Sequence, residues 1–146
     1  VIEQSMLYIS NRGNLSGRDP ERENSVEYIE HALRAGYCVN TDLWVIKDKL
    51  VTGNDFPAHS IMLNRLEKGK LLIRARNIPA LLFLLENGYH CYWRESDDIV
   101  LTNKNFVLSF NNSLIPKSIV MNPEDNAVSN WNDYSGLCSD FISGYV

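Results

Sequence analysis

The chain has 146 residues, enough for one hydrophobic core and too few for two ordinary domains, so residues 1–146 are read as a single domain. Its 45% hydrophobic, 22% charged and 10% aromatic residues are those of a folded soluble protein and exclude a disordered or collagenous chain. The net charge of -4 argues against a nucleic-acid partner, because phosphate contacts come from concentrated Lys and Arg.

In chain order, Ser5 to Ser10 reads as the first strand. Asn24 is placed to cap the next segment, with Glu27 three residues on as in a capping box. Val26, Ile29 and Leu33 then share one face and Gly36 offers a left-handed stop, which predicts a helix over 25–35. Cys38 to Ile46 is rich in β-branched and aromatic residues, and Lys47-Asp48-Lys49 turns the chain into another extended run, Leu50 to Gly53. Asn40 and Asp42 fall on one face of that strand. Leu71 to Ala75 is a third apolar strand, and Asn77 caps a second helix with Pro79 in its first turn and Gly88 beyond its end. After residue 88 the pattern becomes short strands: Tyr89 to Trp93, Ile99 to Thr102, Phe106 to Phe110, Ser118 to Met121 and Gly136 to Phe141.

The longest apolar stretch, Ile78 to Leu85, falls far short of the roughly 20 residues that span a bilayer, so no membrane-spanning helix is expected. Val1 to Met6 lacks the basic and apolar regions of a secretory signal. Cys38, Cys91 and Cys138 include no CxxC pair and read as buried free thiols, which favours a reducing, intracellular setting. A start at Val rather than Met leaves room for a removed leader, and with it an organelle matrix. His31, His59 and His90 show no metal-ligand spacing. Trp44 and Trp93 sit in strand runs and read as packing elements, whereas Trp131, in the polar stretch Asn126 to Ser135, is expected to face a partner.

Four short segments follow one another in a telling order: Asn11-Arg12-Gly13, Glu23-Asn24-Ser25, Asn40-Thr41-Asp42 and Asn54-Asp55. Order and spacing resemble the N-terminal half of glycerophosphodiester phosphodiesterases. That family places His-Arg-Gly after its first strand, Pro-Glu-Asn before a helix, Glu-x-Asp on the second strand and His-Asp after the third. Ile73-Arg74-Ala75-Arg76-Asn77, Trp93-Arg94-Glu95-Ser96-Asp97-Asp98 and Gly136-Leu137-Cys138-Ser139-Asp140 resemble the C-terminal half of a short, barrel-only branch, with His expected at 74 and 94 and Lys at 76. The resemblance covers nearly the whole chain. It implies an α/β fold, a compact TIM-like (β/α) barrel with several outer helices reduced or missing, since a full barrel takes about 200 to 250 residues.

The reaction implied by the resemblance splits a glycerol phosphodiester with two histidines as acid and base and a divalent metal held by carboxylates. Asn11 and Asn54 occupy the acid-base positions, and a carboxamide does not titrate in the accessible range as His does. Asn40 removes one charge from the metal pair and leaves Asp42 as its remnant, although a hard cation wants charged oxygens. Arg74 brings a fixed positive charge to the same place. The changes agree in direction, so no metal or other cofactor is expected.

What remains at the expected mouth is Arg12, Arg74, Arg76 and Arg94 with Glu23, Asp42 and Asp55. The leading expectation is a catalytically inactive family member, a structural or interaction subunit of a larger assembly with protein partners. One alternative is a protein that binds a small phosphate-bearing or other anion on its arginine forks. Another is a divergent phosphodiesterase that uses Mg²⁺ or Ca²⁺ with Asp55, Asp42 and Arg76 in rearranged roles. Against a ligand stands internal pairing of the arginines and acids, which would fill the former cavity.

Overall fold

In the computed structural model, which describes residues 6–126, 128 and 130–146, the elements run β1 (Leu7–Asn11), α1 (Val26–Arg34), β2 (Cys38–Ile46), β3 (Lys49–Thr52), β4 (His59–Ser60) and β5 (Leu71–Ala75), then α2 (Ile78–Glu86), β6 (Cys91–Tyr92), β7 (Ile99–Leu101), β8 (Val107–Ser109), β9 (Ile119–Met121) and β10 (Gly136–Ser139). The expected first strand thus begins at Leu7, its residue Ser5 lying outside the described residues.

Local signals account for most boundaries. Ser25, one residue later than expected, caps α1 by accepting a hydrogen bond from the Tyr28 N–H at 3.3 Å. Asn24 takes φ +68° instead, a conformation that turns its side chain away from the helix. Lys47 and Asp48 both have positive φ, as a tight hairpin turn between β2 and β3 requires. Asn77 caps α2 as expected, accepting from the Ala80 N–H at 3.0 Å.

β1 lies at the centre, parallel to β2 on one side and β10 on the other. Beyond β2 come β5 and β6, all parallel, while beyond β10 come β9 and β8, also parallel, and then an antiparallel β7. The hairpin of β3 and β4 extends the far end of β2 antiparallel to it. The product is one curled, mixed sheet, a half-barrel.

This corrects the expected TIM-like barrel, whose strands would be parallel and would alternate with helices. Only the β1–β2 and β5–β6 crossovers carry an α-helix. The β2–β5 crossover is a hairpin and two 3₁₀ turns, Leu63–Arg65 and Lys68–Lys70, and among the described residues the returns 110–118 and 122–135 hold no α-helix. Chain length accounts for part of this: the return 110–118 falls short of the dozen residues a helical crossover needs, and β7–β8 is joined by a tight turn at 102–106, whereas the longer return 122–135 is taken up by the 3₁₀ turns Pro123–Asp125 and Trp131–Asp133. The sheet also remains open, since no ladder joins β6 to β7. At that seam Asn103 stands in for a strand, donating its N–H to the Cys91 carbonyl at 3.2 Å and accepting from the Cys91 N–H on Oδ1 at 2.8 Å, and His90 Nε2 lies 2.7 Å from the Thr102 hydroxyl.

The two-residue alternation of strands sorts the core into layers. Leu72 points to the concave side with Ile9, Tyr92, Leu108, Ile119, Met121 and Cys138, whereas Leu71 and Ile73 face out against Ile29, Ala32, Ala80 and Leu84 of the helices. A third cluster, Val120, Leu137 and Ile142, gathers Trp131 and Tyr145. Trp131, still partly exposed, packs edge-on against Tyr145, with centroids 5.4 Å apart. Cys91 and Cys138 are buried and Cys38 is half-buried, all free. Among the described residues no helix is long and apolar enough to cross a membrane.

Candidate functional site

The C-terminal ends of β1, β2, β5 and β10 open onto one end of the sheet and carry the polar residues singled out in the sequence. Register explains who meets whom: Asn11 lies beside Asn40, and Asp42 beside Arg74. Because Asn40 and Asp42 share a strand face, both side chains enter the mouth. Three groups of contacts result.

The first is built on Asp42, which has no exposed side-chain surface. Arg12 donates from Nε to Asp42 Oδ2 at 2.8 Å, and its Nη1 lies 3.5 Å from Glu23 Oε1. Arg18 also holds Glu23, at 3.2 and 3.3 Å. Asn24 donates to Asp42 Oδ2 at 3.0 Å while its Oδ1 accepts from the Thr41 hydroxyl at 2.6 Å and the Asp42 N–H at 3.2 Å. The Thr52 hydroxyl donates to the Asn24 carbonyl at 2.5 Å, which ties the left-handed residue to β3. Burial works against the charge of Arg12, but Asp42, Glu23 and Asp140 outweigh it and raise its pKa.

The second group is a relay of carboxamides. The Tyr92 hydroxyl donates to Asn40 Oδ1 at 2.9 Å, Asn40 Nδ2 donates to Asn11 Oδ1 at 3.0 Å, and Asn11 Nδ2 donates to Asp140 Oδ1 at 2.9 Å. Asn14 donates to the same Asp140 oxygen at 2.9 Å. Each Asn gives with one end and receives with the other, which an ionised carboxylate at position 40 could not do. Burial, with Asp42 and Cys138 adding to it, raises the Tyr92 pKa, so the phenol stays a donor.

The third group is cationic. Arg74 donates from Nη2 to the Arg94 carbonyl at 2.7 Å, but its Nε is buried with no hydrogen-bond partner. Arg76 stacks 5.7 Å from the Trp44 ring and reaches only 3.9 Å from Asp42 Oδ1, itself buried and without a hydrogen bond. Arg94 lies 3.8 Å over the Phe110 ring and donates to the Asp97 carbonyl at 2.8 Å. Burial lowers the Arg74 pKa, and Arg76 and Arg94 lower it further.

Asn54 and Asp55 stand apart from these groups. Asn54 is half-buried and Asp55 exposed, and they line a cleft of about 170 Å³ with Arg18, Glu23, Phe56 and His59. A Cβ on Gly53 would run into the Phe56 carbonyl oxygen, so glycine there lets the loop fold back over β3. Among the described residues no group of three or more His, Cys, Asp or Glu is placed to hold a metal ion.

The structure thus brings Arg12, Glu23 and Asp42 together, sets Arg74, Arg76 and Arg94 beside them, and ties Asn11 to Asn40. Sequence reasoning missed Asn24 as a bridge, along with Asn14, Thr41, Tyr92 and Asp140. The Asn24-Ser25 pair did carry a signal, since two cap-type residues in a row leave one free for another use. No family model, curated protein or solved structure matches this chain.

Proposed function

We propose that the chain is a non-catalytic relative of the glycerophosphodiester phosphodiesterases, kept as a structural or interaction subunit. The observation that carries this reading is the relay from Tyr92 through Asn40 and Asn11 to Asp140, joined to the clamp of Arg12 and Asn24 on Asp42. Asn11, at one of the two positions that would move protons, is spent on holding β1 to β2 and to the end of β10, and Asn54, at the other, lies apart in the cleft beside β3. The carboxylate that would bind a metal already has a guanidinium against it, and a fixed cation and a divalent ion compete for the same oxygens. The direct test is turnover of glycerophosphodiesters across pH with Mg²⁺, Ca²⁺ or Mn²⁺ added. No hydrolysis above the uncatalysed rate is expected, and hydrolysis abolished by Asp42→Ala would overturn the reading.

One observation favours a second reading, a phosphate- or other anion-binding protein. Among the described residues, Arg74, Arg76 and Arg94 have a single carboxylate oxygen within 4 Å, Asp42 Oδ1 at 3.9 Å from Arg76, and Arg74 Nε has no hydrogen-bond partner. An anion seated there would relieve the mutual repulsion of the guanidinium groups. Melting temperature measured against inorganic phosphate, glycerophosphate and nucleotides separates the readings, because a ligand specific for the folded state raises it. A rise that disappears in Arg74→Met supports the second; no shift at millimolar ligand removes it.

A further inference from the structure

The two helices pack on the same side of the sheet, with Ile29 and Ala32 of α1 and Ala80 and Leu84 of α2 in one core cluster. Their outer faces differ. α1 turns Glu27, His31 and Arg34 to water, the usual pattern for a helix with one buried stripe. α2 turns out Ile78, Leu82 and Leu85, which spacings of four and three residues put on one face, and they are 55%, 53% and 48% exposed. No residue from 78 to 85 is charged. A helix that is apolar on its outer side as well as its inner one is built to be covered.

The charges at the two ends of the stripe say what covers it. Glu86 ends α2, where the helix dipole disfavours an acid, and it forms no ion pair among the described residues. The other end is basic. Asn77 bonds to both the N–H and the C=O of Val45, at 3.2 and 3.0 Å, which sets the start of α2 beside the turn between β2 and β3. That turn exposes Lys47 and Lys49 around a single acid, Asp48, and neither lysine has an ion pair among the described residues.

We infer that the outer face of α2 is the contact by which two copies of this chain associate, the helices packing antiparallel about a twofold axis beside Leu82. Each Leu82 then meets its counterpart, and Ile78 of one copy meets Leu85 of the other, so the stripe covers itself. The nine residues of α2 span about 14 Å, which brings each Glu86 to the basic turn and the positive helix end of the other copy. A parallel pair would set acid beside acid and lysine beside lysine. The face is small beside the roughly 800 Å² per partner of stable complexes, which places association at high micromolar concentration or weaker. The contact uses none of the arginines of the mouth and does not depend on how that mouth is read.

Sedimentation equilibrium of the full chain from micromolar to millimolar concentration is expected to show a monomer–dimer equilibrium. Leu82→Glu should abolish it and leave the circular dichroism of the dilute chain unchanged, because half of that side chain already faces water. Glu86→Lys separates this contact from general stickiness. Replacing an acid by a base moves the net charge from -4 to -2, which by itself favours association. In the antiparallel dimer it sets a cation against the basic turn twice, so affinity should fall by about three- to tenfold. The dilute Glu86→Lys chain should melt no lower than the original, since a lysine suits the end of its own helix. Adding Lys47→Glu/Lys49→Glu to Glu86→Lys should restore the dimer, as both contacts are again opposite in sign. The charge arm stands even if Leu82→Glu fails to fold. A chain that is monomeric throughout the range, a dimer indifferent to Leu82→Glu, or one that Glu86→Lys leaves as strong or strengthens, overturns the inference.

Discussion

The two sides of the mouth are built from the same residue types to opposite ends. On the β1–β2 side, Arg12 has two carboxylates and Asp42 is held by two neighbours, Arg12 and Asn24, the latter bonding both its side chain and its N–H. On the β5–β6 side, Arg74 and Arg94 are held by backbone carbonyls and Arg76 by a long contact, with one buried nitrogen left over. A buried charge is tolerable when its partner is fixed beside it, and costly when its neighbours are like charges. The first side is therefore expected to carry stability, and the second to be nearly neutral without a ligand.

The largest effect should come from breaking the satisfied side. Arg12→Met leaves buried Asp42 with the bonds of Asn24 and only the long contact to Arg76, and should cost about 3–5 kcal/mol in urea unfolding, the usual result of stranding one member of a buried pair. Adding Asp42→Leu should recover much of that loss, because two apolar side chains replace the pair without an orphan charge. If the single and double variants are equally unstable, the pair is not what holds this wall.

Asn24 splits the same wall into hydrogen bonds and backbone. Asn24→Gly keeps the left-handed residue but strands the Thr41 hydroxyl and the Asp42 N–H, for about 1–3 kcal/mol. Asn24→Ala should cost roughly 1–2 kcal/mol more, since φ +68° sets its Cβ against the backbone. Equal losses in the two variants would mean that the loop 18–24 relaxes out of the left-handed conformation.

These contrasts bear on how far the sequence could be read. Apart from the short β4 and the 3₁₀ turns, the elements up to α2 were legible because capping residues, Gly36, Gly88 and the run Cys38–Ile46 are local signals. The mixed sheet was not, because nothing local distinguishes β7, which reverses direction, from a parallel strand of the same composition. At the mouth, Arg12, Glu23 and Asp42 were legible as a cluster, since alternation and segment order place them together. The roles of Asn24, Asn40 and Asn11 depended on register between strands far apart in the chain, and register is set by the whole sheet. Asp55 shows the same limit: its segment is in the expected order, yet the loop after β3 carries it to an exposed cleft.

On the unsatisfied side the expected effect is smaller. Arg74→Met should leave unfolding stability within about 1 kcal/mol of the original, because the lost bond to the Arg94 carbonyl is offset by removing a cation from beside Arg76 and Arg94. A loss as large as that of Arg12→Met would show that Arg74 holds structure by a contact stronger than those described, and the two sides would be alike after all.

The smallest effect lies at the seam, where His90 offers a titration that neither side of the mouth controls. Its Nε2 is 2.7 Å from the Thr102 hydroxyl, its ring packs 5.3 Å from that of Phe106, and burial and then Lys104 lower its pKa below the ordinary value of about 6.5. As pH falls through 6.5 the unfolded chain takes up this proton first, so the unfolded state gains relative to the folded one. Stability should therefore decline from about pH 6.5 down to the depressed folded value and be indifferent to this group above 6.5. His90→Gln should flatten that part of the profile while leaving the deficit of Arg12→Met unchanged, since the seam and the Asp42 clamp share no residue. If the profile below pH 6.5 is unaltered in His90→Gln, the decline belongs to the carboxylates, and the seam is more open to water than the burial of His90 implies.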